Sequence, residues 1–288
     1  MSNQITTSFV RQFGDSVLML AQQQESKLRN SVRVEQIVGE DRAFDQIGSV
    51  SMTELTDRHG DTSYVQTPHR RRWVTPTPRT VADLIDRPDM VRTLNDTQNA
   101  YVRSFAAAIG REQDMTIINA VEATAKSGKA GTSNVSFDSN MVVPADLETT
   151  STDAPLTVDK LRRAKRLLDE RDAGDMRTIV VSPAQMENLL GITEATSSDF
   201  NTVKALVNGE INEFLGFKFI TTSLMPDNKV YFWDEAGMLL GVAQDPMFKI
   251  DEVPTKNYST SVYASVDIGA VRMEESRVGR MDVDSNAA

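Results

Sequence analysis

Between Gly48 and Arg79 the chain can be neither a helix nor a central strand, and it holds too few apolar residues to enclose a core of its own. Pro68, Pro76 and Pro78 lack the amide donor and fix φ, which bars helix interiors and confines strands to sheet edges. Val50, Met52 and Glu54 begin an alternating run, and Asp57-Arg58-His59-Gly60-Asp61 supplies turn chemistry. A second extended run, Ser63 to Thr67, then leads into Arg70-Arg71-Arg72-Trp73-Val74. The pattern predicts a long two-stranded excursion, and isolated two-stranded structure is marginal in water. Such a segment needs something outside its own domain to lie on.

The flanking segments have a different character. Upstream, Phe9, Phe13, Val17, Leu20 and Leu28 fall near helical spacing, but Gly14 and the Gln22-Gln23-Gln24 run weaken the helix. With so few apolar anchors this stretch is either a frayed terminus or an arm that orders on a partner subunit. Downstream, Leu94, Tyr101, Phe105, Ala108, Met115, Ile118 and Ala125 recur at helical intervals from about Asp89 to Lys126, after Pro88 and before Gly128. At 1.5 Å per residue this helix would be about 50 Å long, with a bend or break expected at Gly110.

The rest of the chain alternates helix and strand. Ser127 to Ala154 reads as a loop or a weak hairpin around Val135 and Phe137. Thr157 is placed to cap a helix with the stripe Val158, Leu161, Ala164 and Leu168. Arg177–Val181 is a short apolar strand, and Ser182-Pro183 opens a second helix through Met186, Leu189 and Leu190. After Thr196-Ser197-Ser198 a further helix is expected, then strands at 216–223, Lys229–Trp233, Met238–Val242 and 262–270, with extended chain to Val283.

Composition narrows the classes of function. The absence of cysteine excludes disulfides and cysteine-ligated zinc as staples. No apolar run approaches the roughly 20 residues needed to span a bilayer, and the N-terminus lacks a secretory pattern. The net charge of −10 would repel nucleic acid on average, since phosphate neutralisation supplies most DNA affinity. That balance suits a container for DNA better than a protein that grips it.

Sequence signatures for catalysis are missing. There is no nucleophile elbow, phosphate-binding loop or dinucleotide fingerprint. His59 and His69 could share a metal with Asp57 or Asp61, but solvated loop histidines are the stronger reading. Asp282-Val283-Asp284 is a weak carboxylate pair on a terminal tail. Catalytic, cofactor and metal residues are therefore expected to be none. Arg70-Arg71-Arg72 beside Trp73 has three readings: a nucleic-acid patch, a solvated run, or a docking strip for an acidic neighbour. Between Glu187 and Glu252 there are 11 acidic and 4 basic residues, so the chain offers such an acidic surface itself.

The order of these features resembles the Hong-Kong-97-type capsid fold of tailed double-stranded-DNA bacteriophages. The stretches that carry the likeness are Thr178-Ile179-Val180-Val181-Ser182-Pro183, then Asn208-Gly209-Glu210-Ile211, Leu215-Gly216-Phe217 and Val230-Tyr231-Phe232-Trp233-Asp234. The resemblance implies an α+β fold with an N-terminal arm (1–42), an extended β-hairpin loop (43–87) and a peripheral domain with a long spine helix (88–155). An axial sheet-and-helix domain (156–245) and returning strands (246–288) complete it.

What the family implies goes further. The protein would be a major capsid protein, not an enzyme, without cofactors, forming pentamers and hexamers of an icosahedral shell. That shell would enclose DNA without sequence-specific binding, in virions assembled in the bacterial host cytoplasm. Phe9 and Phe13 on the arm, with Arg70, Arg71, Arg72 and Trp73 on the loop, are the candidate contacts between subunits. A chain that begins directly with the arm leaves no room for a fused scaffolding extension, so a separate scaffolding protein and a portal are expected, with a decoration protein as a possible addition. No lysine lies between Lys27 and Lys126, so the covalent cross-linking that some relatives perform from this loop is not available. The rivals are an encapsulin shell of the same fold, which would enclose a cargo enzyme, and an α/β enzyme with an unrecognised pocket.

Overall fold

The computed structural model describes residues 22–54, 61–62, 64–85, 97–147, 154–191 and 213–284. In chain order the first elements are β1 (Arg33–Gln36), β2 (Arg42–Ile47), β3 (His69–Val74), β4 (Thr77–Ile85) and the helix α1 (Thr97–Glu122). Short strands β5 (Ala125–Ser127), β6 (Ser133–Val135) and β7 (Val142–Val143) precede α2 (Val158–Asp169), β8 (Arg177–Val181) and α3 (Pro183–Gly191). The chain closes with β9 (Glu213–Phe214), β10 (Phe217–Thr221), β11 (Lys229–Asp234), β12 (Met238–Val253), β13 (Ser259–Arg272) and β14 (Val278–Asp282).

The chain divides into two units. One comprises Met1–Ser26, Pro78–Glu112 and Gln244–Asp267; the other Lys27–Thr77, Gln113–Ala243 and Ile268–Ala288.

The second unit holds a six-stranded sheet in the order β7-β14-β11-β8-β10-β9. At its centre β8 runs parallel to β10 and antiparallel to β11, so that Ile179 faces both Phe219 and Phe232 in register. A central strand has no solvated face, and Thr178 to Val181 are accordingly all buried. The outer neighbour β10 alternates instead: Phe217 and Phe219 point inward and Lys218 outward. Against this sheet lies α2. Thr157 caps it, its Oγ1 accepting from the Lys160 amide at 3.4 Å, and Leu161, Ala164 and Leu168 form its buried stripe. These side chains share one core with Ile179, Val181, Phe217, Phe232 and Met281. Each such large apolar side chain contributes about 1.5–3 kcal/mol relative to leaving it in water.

A smaller core sits under a four-stranded sheet, β2-β3-β5-β6, and consists of Ile37, Phe44, Val74, Ala125, Leu239, Val271 and Met273. The base of the arm belongs to the same unit. Leu28 and Val32 are buried, the Trp233 indole donates to the Ser31 carbonyl at 2.9 Å, and β1 pairs in parallel with Leu239–Val242. Asp114 on α1 is fully buried and accepts from the amides of Lys27 and Leu28, both at 3.0 Å. An acid thus fixes the chain's entry where the helical stripe would otherwise take an apolar residue.

In the first unit the outer parts of β12 and β13 and the strand β4 follow one another in sheet order. From Gln244 to Val253 almost every β12 residue is exposed or half-exposed.

Three local expectations change. Helix α1 ends at Glu122 and spans about 39 Å as described; the stretch 86–96, where its start was expected, lies outside the described residues. Gly110 does not break it. A Cβ there would come within 2.9 Å of the Ser26 amide, so the glycine admits a crossing backbone. Third, β12 runs on to Val253 instead of stopping at Val242. The helix expected after Ser198 lies outside the described residues. The hairpin around Val135 is present, as β5 paired with β6.

Gly279 on β14 sits beneath the Phe232 ring, and a Cβ at this position would overlap the ring atoms. Phe232 in turn meets Phe217 edge-on at 6.5 Å, which leaves it little freedom to move. Gly279→Ala is therefore expected to destabilise the unassembled subunit by about 1–3 kcal/mol through overpacking, read as a lower thermal midpoint. An unchanged midpoint would show that this core is looser than the packing requires.

Candidate inter-subunit surfaces

The extended excursion is a hairpin of β2 and β3, with Phe44 opposite Arg72, Asp45 opposite Arg71 and Gln46 opposite Arg70. Side chains alternate across a strand, so three consecutive arginines cannot share one environment. Arg71 faces outward and grips Asp45 bidentately at 2.5 and 3.0 Å. That hydrogen-bonded pairing, reinforced by charge, holds the Asp45 carboxyl below its usual range and raises the Arg71 guanidinium. Arg70 is exposed.

Arg72 departs from the expectation of a solvent-facing strip outside the core. It is only 3% exposed, because its strand position carries it inward beside Phe44 and Val74. Nε donates to the Met273 carbonyl at 3.0 Å, and Nη2 to both oxygens of Glu275 at 2.6 and 2.5 Å. On the facing strand Gln46 donates to the same Met273 carbonyl at 2.9 Å. Behind Glu275 lies Arg272, with no exposed surface and its Nε 3.5 Å from the carboxylate. Burial pulls the Arg272 guanidinium down, and Glu275 opposes that.

Arg272 is the buried charge that sequence reasoning missed. Its guanidinium donates to the carbonyls of Val121, Ala123 and Val135 and stacks over Phe137. Its only sequence signal was a charged residue that keeps the strand alternation of β13 going.

Trp73 takes the opposite face. Its indole donates to the Gly128 carbonyl at 2.8 Å, and the ring lies against Gly131. Both glycines have positive φ, at 88° and 68°, so the β5–β6 turn closes tightly enough to seat the ring. The half-buried tryptophan is engaged within its own chain. Phe9 and Phe13 lie outside the described residues.

Beyond the arginines, the described part of the hairpin's far end displays large apolar side chains to solvent. Met52 and Tyr64 are 102% and 92% exposed, and Ile47, Val50 and Val65 are each more than half exposed. Scattered exposed hydrophobics are ordinary, but five on one short excursion are not.

No catalytic constellation emerges among the described residues. His69 and Asp61 are exposed; Asp57 and His59 lie outside the described set. No group of three potential ligands converges on a metal position among the described residues. Asp282 pairs with Arg280 at 2.9 Å. One cleft of about 360 Å³ holds Asp175, Glu213, Glu235, Lys218 and Arg177. Arg177 is committed to the carbonyls of Ala173 and Gly174 and to Asp169.

No curated protein sequence matches the chain significantly. Solved structures do. A cyanophage P-SCSP1u capsid structure covers 97% of this chain and 94% of its own, with a TM-score of 0.75 at 13% identity. The capsid of Ralstonia phage GP4 covers 96% and 95%, with a TM-score of 0.74 at 10% identity. A Mycobacterium phage Che8 structure covers 96% and 97%, with a TM-score of 0.71 at 15% identity. At these identities the likeness is one of fold, the Hong-Kong-97 type. A family model described as phage capsid protein matches residues 5–285, nearly the whole chain. The chain therefore belongs to the phage capsid protein family, and its role is structural, as a major capsid protein.

Proposed function

We propose that copies of this chain close into an icosahedral shell of pentamers and hexamers, with the β2–β3 hairpin of each copy seated on a neighbour. The observation that carries this reading is the exposed apolar end of the hairpin, with Met52 and Tyr64 almost entirely in solvent. Left in water these side chains forgo about 1.5–3 kcal/mol each, which a neighbouring surface would recover. The exposed Arg70, together with the outer side of Arg71, would meet an acidic part of that neighbour.

In this reading segments 1–42 and 43–87 are the arm and the loop, 88–155 the peripheral domain, 156–245 the axial domain and 246–288 the returning strands. A separate scaffolding protein and a portal would accompany assembly in the host cytoplasm, and a decoration protein could sit on the finished shell. A net charge of −10 suits a wall that encloses DNA without binding its sequence. Its work is containment, without catalysis.

Co-expression with the scaffolding protein of the same phage tests the reading. Wild-type protein should give closed shells by electron microscopy. The double variant Met52→Asp/Tyr64→Asp should keep its circular dichroism and lose shells, because two charges cannot be buried at a neighbour's surface. Arg70→Glu/Arg71→Glu should lower the yield of shells and leave the fold intact. Normal shells from the tip variant would contradict the proposal.

Without cysteine, and without lysine between Lys27 and Lys126, the shell is held together non-covalently from this loop. Shells boiled in detergent should therefore run as a single band near the 31.9 kDa chain mass. A ladder of covalent multiples would overturn this.

A further inference from the structure

We infer that Gln46 and Arg72 are positioning residues for assembly: a clasp at the hairpin's base that sets the direction of its exposed end, and with it the size of the shell. This rests on the reading that the hairpin's end seats on a neighbouring copy. Facing strands of the hairpin donate to one carbonyl, Gln46 at 2.9 Å and Arg72 at 3.0 Å to Met273. Arg72 adds contacts from its Nη2 to both carboxylate oxygens of Glu275, and Arg272 backs that carboxylate from the side of the α1 terminus. The hairpin is therefore tied to the turn after β13 by side chains of both its strands.

A buried guanidinium held at two of its nitrogens is a directional contact: with Nε on the Met273 carbonyl and Nη2 on the Glu275 carboxylate, the plane of the Arg72 head group is fixed as well as its distance. Hydrophobic burial of Phe44 and Val74 is non-directional and adds no such angular constraint. Direction matters because of leverage. Met52 lies six positions beyond Gln46, a reach of up to roughly 20 Å. A tilt of about 10° at the base would carry the end by about 3–4 Å, the scale of a whole side-chain contact. Repeated at every subunit boundary, that error changes the curvature at which the shell closes.

Arg72→Met/Gln46→Ala removes every side-chain donor of the clasp and keeps an apolar stem in the buried position. Glu275 retains Arg272, and the hairpin retains its ladder from Arg42↔Val74 to Ile47↔His69. The expected result is a subunit with wild-type circular dichroism that still assembles but loses the single particle diameter of the wild type, giving mixed sizes or open sheets by cryo-electron microscopy. Arg72→Lys with Gln46 intact keeps the charge but loses the planar guanidinium, so its particles should also spread in diameter, though less than those of the double variant. Uniform wild-type shells from the double variant overturn the inference. Should that variant not fold, Gln46→Ala alone decides: a broadened distribution supports the clasp and an unchanged one overturns it. Loss of shells in the Met52→Asp/Tyr64→Asp variant, alongside uniform shells from the clasp variant, refutes the clasp alone. Normal shells from the tip variant refute the reading beneath it.

Discussion

Arg272 carries a full charge with no exposed surface, and an isolated ion in that position would cost several kcal/mol. The surrounding chain is arranged to remove that cost. The last turn of α1 offers the Val121 carbonyl, Ala123 and Val135 offer two more, and Glu275 supplies the counter-charge. A cation at the C-terminus of a long helix also meets the negative end of its dipole. Through Glu275 the same cluster reaches Arg72 and hence the hairpin. Segments more than 100 residues apart in sequence are thereby locked in one register. Buried ion pairs add little to stability compared with apolar packing, but they tolerate few alternative arrangements.

Other contacts in this unit follow the same logic of fixed geometry. Asp114 holds the incoming arm by two amides, Trp233 holds Ser31, and Gly279 lets the Phe232 ring settle onto the strand. Lys229 and Arg280 both grip Glu122 at the end of α1. Burial alone would raise the Glu122 carboxyl, yet these two donors hold it below its usual range. The subunit is thus cross-braced at the helix end, while the largest group of exposed apolar side chains among the described residues lies on the hairpin.

Much of the fold was legible because its signals are local. Thr157 as a cap, Pro183 in a first turn, the apolar run 179–181 and the alternation along 262–270 each report a period or a terminus. The order of those signals carried the family resemblance. What stayed hidden depends on long-range pairing. Arg72 read as a surface charge and Arg272 drew no reading at all, because burial of an arginine is set by partners 201 and 149–151 residues away. Gly110 read as a helix breaker because nothing nearby in sequence announces a crossing chain. The length of β12 was misjudged for a related reason: its outer half lacks buried residues, so alternation gives no signal.

The central claim is that a rigid, cross-braced body aims an apolar hairpin end at a neighbour. A cryo-electron microscopy reconstruction of wild-type shells at side-chain resolution tests it directly. Met52 and Tyr64 should be covered by an adjacent copy, while Arg72 remains paired with Glu275 of its own chain. A shell in which those two side chains stay in solvent, or in which Arg72 has left Glu275 for a neighbouring subunit, would contradict the account.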